Sequence, residues 1–224
     1  MFLCAVRAGG VSRNKESTSE KRRVHVATTT MVRPAPEKVA ERAREIRAAW
    51  LADPEMRVVL EGCADYSSDW TEFYGTPLVV EFNVKTDAAP LLNLALEVMA
   101  IKSAVYEMTG DELAAEIPVP VAVDTVCHAL TAQFTALSRI QGRTGILFVH
   151  STVNEHENDT PWDTGDWTHQ AYRAAFGPVD ERYWIPAAEA ERRRQVLDGL
   201  YGSIGITERG QRVSVPLSDA TNAA

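Results

Sequence analysis

The spacing of apolar residues divides the chain into segments of two periods. Val39, Ala43, Ile46 and Trp50 recur at helical spacing between Pro34 and Asp53, with Pro36 and Glu37 at the first turn and Asp53-Pro54 as a stop. Ala88 to Met108 is the clearest helix: Leu91, Leu94, Ala95, Val98, Ile101, Val105 and Met108 form one broad face, and Gly110 follows where a C-terminal cap prefers glycine. A third helix runs from Asp124 or Thr125 to Gln141, with Val126, Leu130, Phe134 and Leu137 inward and Gly142 closing it. Shorter helices are predicted over Trp167–Phe176 and Pro186–Tyr201. Alternation of period two marks Pro77 to Lys85 as a strand, with Val80, Phe82 and Val84 on one face. Gly145 to Val149 is a short apolar run that reads as a buried strand. Ile117 to Val123 is extended, and its two prolines confine it to an edge or a connection. Arg57 to Leu60 reads equally as strand or helix. Ile204–Thr207 and Val213–Leu217 suggest a hairpin about Gly210.

That order predicts an α+β domain, a mixed sheet with packed helices and a C-terminal β-hairpin, with a three-layer α/β arrangement as the alternative. The domain is expected over residues 34–217. Residues 1–33 lack either period and are expected to be a disordered or extended basic segment. Residues 218–224 are expected to be a flexible tail.

Charge sharpens this division. The 224 residues carry a net charge of −8. Residues 1–33 hold seven basic and two acidic side chains, a balance of +5, which leaves −13 for the rest. An acidic body disfavours unspecific nucleic-acid binding, although a nuclease metal site is itself acidic. A hydrophobic share of 45% is ordinary for a globular protein. The longest greasy segment, Leu91 to Val105, is interrupted by Asn93, Glu97, Lys102 and Ser103, so no membrane association is expected. Cys4, Cys63 and Cys127 form no disulfide pattern and read as reduced thiols of a cytoplasmic protein. Abundant alanine, and arginine in preference to lysine, hint at a GC-rich bacterial or phage genome.

The densest chemistry lies in residues 150–169, HSTVNEHENDTPWDTGDWTH. A divalent metal needs two to four imidazole or oxygen ligands converging on one point. His150, His156, Asp159, Asp163 and His169 are the candidate ligands, with Glu155 or Glu157 as a general base. The spacing matches no compact signature such as HExxH, and the calcium-like Asp163-Thr164-Gly165-Asp166 turn lacks its twelve-residue loop. A solvated loop whose tryptophans tuck onto the core accounts for the same residues. No motif requires a cofactor, and a divalent metal is the one candidate.

A second constellation is Glu81, Asn83 and Lys85, alternate residues on one predicted strand face. An acid and a lysine so placed can hold a metal and a phosphate together. In its helix–strand–helix order this region resembles restriction-type nucleases, which implies a catalytic set of Asp69 (or Asp65), Glu81 and Lys85. It departs from that pattern because Asn83, not an acid, stands two before Lys85. Cys127 and His128 are adjacent, point about 100° apart on a helix, and make a poor nucleophile–base pair. Arg192-Arg193-Arg194 suit a solvated, ion-paired helix better than a phosphate site. Neither GxGxxG, GxxxxGK[ST] nor GxSxG occurs, which disfavours the corresponding nucleotide-binding and hydrolase classes.

Aromatics cluster in the predicted loops: Trp70 and Tyr74 in one, Trp162 and Trp167 in another. Rings among acids suit protein contact, because they bring area at low entropy cost. The leading expectation is therefore a protein-interaction, regulatory or assembly protein, with a protein partner or a second copy of itself bound through Trp70, Tyr74, Trp162 and Trp167. The alternative is a metal-dependent hydrolase, a phosphodiesterase or nuclease-like enzyme. Sugar binding by Trp162 and Trp167 beside Asp163 and Asp166 is a third reading.

Overall fold

The computed structural model describes residues 32–65, 84–150 and 162–204. Those residues form eight helices and no β-strand. They are α1 (Pro36–Ala52), α2 (Pro54–Asp65), α3 (Val84–Thr109), α4 (Glu112–Ala115), α5 (Val121–Thr131), α6 (Phe134–Thr144), α7 (Trp167–Phe176) and α8 (Ala187–Ser203). The expected mixed sheet, whether α+β or three-layer α/β, is thus corrected, for the described residues, to an all-helical arrangement.

Helix α3 is the centre of the packing. α1, α2, α4, α5 and α7 all lie against it. Leu91, Leu92, Ala95, Leu96, Val98, Met99, Ile101, Ala104 and Val105 are all buried, so the helix is apolar on nearly every side, as a core helix must be. It is also long and apolar enough to cross a membrane by length and composition, yet 83% of its most apolar window is buried inside the protein. α1 contributes Val39, Ala43, Ile46 and Trp50 as its periodicity predicts. α2 resolves the ambiguity at Arg57–Leu60 in favour of helix.

Residues 145–149 show what takes the place of one predicted strand. Gly145, in the left-handed region at φ +71°, ends α6. The chain then runs extended with Ile146 and Val149 buried, Phe148 half-buried and Leu147 40% exposed, so the apolar run expected to be buried is buried only in part. Among the described residues no strand pairs with its backbone. Ser103 Oγ of α3 donates to the Leu147 carbonyl at 2.7 Å and accepts from the Val149 amide at 3.3 Å. Thr144 Oγ1 and Gln141 Oε1 accept from the Ile146 and Phe148 amides. Side chains of α3 and α6 do what a β ladder would have done.

The other predicted strands fall partly inside and partly outside the described residues. Val84 and Lys85 begin α3, so no strand reaches Lys85, and residues 77–83 lie outside the described residues. Residues 117–120 are a connection, and Pro120 caps α5. The predicted hairpin lies outside the described residues beyond Ile204. The helix expected from Asp124 to Gln141 is two helices, α5 and α6, parted at Ala132 and Gln133. The break changes the helical phase, so Phe134, expected inward, is 75% exposed while Leu137 stays buried. Gly142 sits inside α6, and Gly145 closes it.

Two buried acids tie later segments to α3. Asp87, fully buried in the first turn of α3, accepts from Tyr183 Oη at 2.8 Å and from Arg182. Glu97 accepts from Tyr172 Oη of α7 at 2.5 Å and from Asn93 Nδ2 at 2.9 Å, with Arg47 of α1 at 3.3 Å. A buried carboxylate is tolerated only with such partners.

Candidate metal centre

Pro120 starts α5, and Asp124 and His128 stand four residues apart on it. That spacing puts both on one face of the helix, one turn apart. Asp124 Oδ2 lies 3.1 Å from His128 Nε2. His150 arrives from the end of the extended segment that Ser103 holds, and its Nε2 lies 3.3 Å from His128 Nε2. One ligand atom from each of the three residues falls within 4.8 Å of the other two. His128 is buried, whereas a third of the Asp124 side chain is exposed and gives the cluster a face to solvent.

Behind His150 stands Lys102 of α3, a lysine with no exposed surface. Its Nζ lies 2.6 Å from Glu116 Oε1 and 3.1 Å from His150 Nδ1. Glu116 follows the short α4, whose end is held by Arg33: Nε donates to the Ala114 carbonyl at 2.9 Å and Nη2 to that of Glu116 at 3.0 Å. Burial lowers the Arg33 pKa, against the pull of Asp166 and Glu116. Arg33, the last residue of the expected basic arm, is therefore used inside the fold.

Burial, then the ammonium of Lys102, push the His150 imidazole down to about 3, so it is neutral. Burial acts to raise the Asp124 carboxyl. The His128 hydrogen bond and the positive charge of Lys102 outweigh that, and it sits below its ordinary value.

Counting protons exposes a conflict. An ammonium has donors only, so Nδ1 of His150 must accept from Lys102. Neutral His150 then carries its proton on Nε2 and donates it to Nε2 of His128. That nitrogen is now a lone pair, and its contact with the Asp124 carboxylate holds no proton. If His128 donates to Asp124 instead, two N–H groups face each other at 3.3 Å. One proton cannot serve both contacts. A cation at the point where the three lone pairs meet serves them all. Ligand bonds of about 2.0–2.1 Å set tetrahedral edges of about 3.3–3.4 Å. The separations of 3.1 and 3.3 Å are close to these. Two imidazoles and a carboxylate suit zinc, iron or manganese better than calcium or magnesium.

Of the expected ligands that fall among the described residues, His150, Asp163 and His169, only His150 enters this cluster. His156 and Asp159 lie outside the described residues, as do Glu155 and Glu157. Asp163 and His169 serve a helix start instead. Asp166 caps α7 by accepting from the His169 amide at 2.8 Å, Asp163 Oδ1 accepts from the Thr164 amide, and His169 Nδ1 accepts from the Gly165 amide at 2.8 Å. The calcium-like turn is this capping turn. Asp69, Glu81, Trp70 and Tyr74 lie outside the described residues, and Lys85 falls in the first turn of α3.

Trp162 is buried against Trp184, and Trp167 is half-buried, its indole donating to the Pro34 carbonyl at 3.0 Å. Cys127 is fully buried with its Sγ toward the Ala95 carbonyl, and burial raises its pKa far above the usual thiol range. His128 serves Asp124 and His150 instead of that thiol.

Asp124, Lys102 and Glu116 were not singled out from the sequence as site residues, and His128 was weighed only beside Cys127. The available signal was the D-x-x-x-H spacing on a predicted helix. Lys102 inside an apolar face was a second. Comparison with protein-family models, curated proteins and solved structures finds no match, so the chemistry of the site carries its own argument.

Proposed function

We propose that this protein is a metal-dependent hydrolase that binds a zinc-type divalent ion through Asp124, His128 and His150. The observation that supports it is the convergence of one ligand atom from each of the three residues within 4.8 Å of one another, with Asp124–His128 at 3.1 Å and His128–His150 at 3.3 Å. Three protein ligands leave a coordination position for water or substrate, the pattern of catalytic zinc sites. Such an ion, when bound, acidifies water and polarises a carbonyl or phosphoryl oxygen. The chain supplies the rest. α5 presents Asp124 and His128 in register, Ser103 fixes the segment that delivers His150, and burial of His128 keeps water from its far side. The partly exposed Asp124 marks the side on which substrate enters.

The test is metal content and melting temperature of the purified protein, as isolated and after chelation, with Zn²⁺, Mn²⁺, Fe²⁺, Mg²⁺ and Ca²⁺ returned singly. The expected result is near-stoichiometric binding of a transition ion and a rise in Tm that Asp124→Ala, His128→Ala or His150→Ala abolishes. The loaded protein is then assayed on carboxylic esters, phosphomonoesters and phosphodiesters. No ion and no shift in Tm overturns the metal reading. Binding without turnover of any of the three substrate classes overturns the hydrolase reading.

A further inference from the structure

A metal-ligating histidine donates its other ring N–H to an acceptor, most often a carboxylate or a carbonyl, and this outer contact fixes the tautomer. His150 has the opposite neighbour, because its Nδ1 faces the donors of Lys102 at 3.1 Å. The carboxylate that would suit it stands immediately beyond, with Glu116 Oε1 2.6 Å from the same ammonium. We infer that Glu116 is the outer-sphere carboxylate of this metal centre and that Lys102 is a plug which keeps His150 in the wrong tautomer until an ion arrives. The inference rests on the metal reading of Asp124, His128 and His150.

The exchange conserves protons. Without metal, neutral His150 carries its proton on Nε2 and accepts from Lys102 at Nδ1. Coordination needs the Nε2 lone pair, so the proton passes to Nδ1, the imidazole stays neutral overall, and Nδ1–H now faces an ammonium. Two donors cannot share that contact. A carboxylate has room for both, since its two oxygens offer about four acceptor sites. Glu116 therefore takes the Nδ1–H while Lys102 shifts along the same carboxylate. The backbone at Glu116 is held by Arg33, which leaves the movement to the side chains. Lys102 is thus a positioning residue that sets the affinity of the site. Its removal favours the ligating tautomer, and loss of the Glu116 charge disfavours it.

The experiment is ¹⁵N NMR of the histidine rings in the full chain, with and without Zn²⁺, combined with Zn²⁺ affinities of Glu116→Gln, Lys102→Met and the double variant. Expected is a change of His150 from the Nε2–H to the Nδ1–H tautomer on adding zinc. Glu116→Gln should lose about 10–100-fold in affinity, and Lys102→Met should gain affinity. If a single variant fails to fold because a buried charge has lost its partner, the double variant and the wild-type tautomers still decide. Zinc binding with an unchanged His150 tautomer, or with wild-type affinity in the folded variants, overturns this inference and leaves the metal site standing. No zinc binding by the wild type removes both.

Discussion

The indole of Trp50 on α1 stacks on the ring of Phe148 with centroids 4.0 Å apart and planes 17° from parallel. Phe148 precedes His150 by two residues, so this contact joins the core to the segment that delivers a proposed ligand. Trp50→Ala is expected to destabilise the protein by about 3–5 kcal/mol through loss of buried area and the remaining cavity. It should also weaken metal binding, although Trp50 lies on a different helix from Asp124 and His128. Chemical denaturation and zinc titration measure the two effects. Full metal affinity in a destabilised Trp50→Ala protein would show that the hydrogen bonds of Ser103, Thr144 and Gln141 hold the segment without the stacked rings.

Tyr172 and Glu97 join α7 to α3 through a hydrogen bond of 2.5 Å. Burial, then the nearby carboxylate, raise the tyrosine pKa above its usual range, so its hydroxyl remains a donor. Tyr172→Phe leaves one oxygen of a buried carboxylate without that donor, and a loss of about 1–3 kcal/mol is expected in urea unfolding. Tyr172→Phe in a Glu97→Gln background should lose less, because the charge needing the hydroxyl is gone.

Glu55, at the start of α2, is held at about 2 by hydrogen bonds from Arg139 and Arg143 of α6, against an ordinary value of 4.5. A carboxyl whose folded pKa is depressed stabilises the fold above its unfolded pKa and loses that contribution as pH falls through the folded one. Tm should therefore decline between pH 4.5 and about 2, with a smaller decline in Glu55→Gln. Because these groups face solvent, the difference between the proteins should shrink in high salt.

Gly145 holds φ +71° with nothing within 4 Å of where a side chain would begin. The penalty of Gly145→Ala is then conformational alone, about 1–2 kcal/mol. Gly145→Asn should be milder, since asparagine tolerates this region. Thermal melts of the two variants compare them. Equal losses would mean that the closing turn of α6 is set by its neighbours and not by φ.

Much of the helical content was legible in the chain. The spacing of Val39, Ala43, Ile46 and Trp50, and of the apolar residues from Leu91 to Val105, predicts helices that occur, because apolar residues recurring at that period come together on a helix. The run from Gly145 to Val149 shows the limit. An apolar run reports burial, and burial alone does not say whether a strand or a side chain such as Ser103 satisfies the backbone. From the sequence Asp124 reads as a helix cap and His128 only as a neighbour of Cys127, although a four-residue spacing on a helix is local geometry that puts both on one face. The sequence does flag His150 by its company of acids. Only the tertiary structure brought His150 to His128 and set Lys102 and Glu116 behind it. Those meetings depend on where the break after α5 and the turn at Gly145 send the chain, and no local period encodes a contact between residues so far apart in sequence.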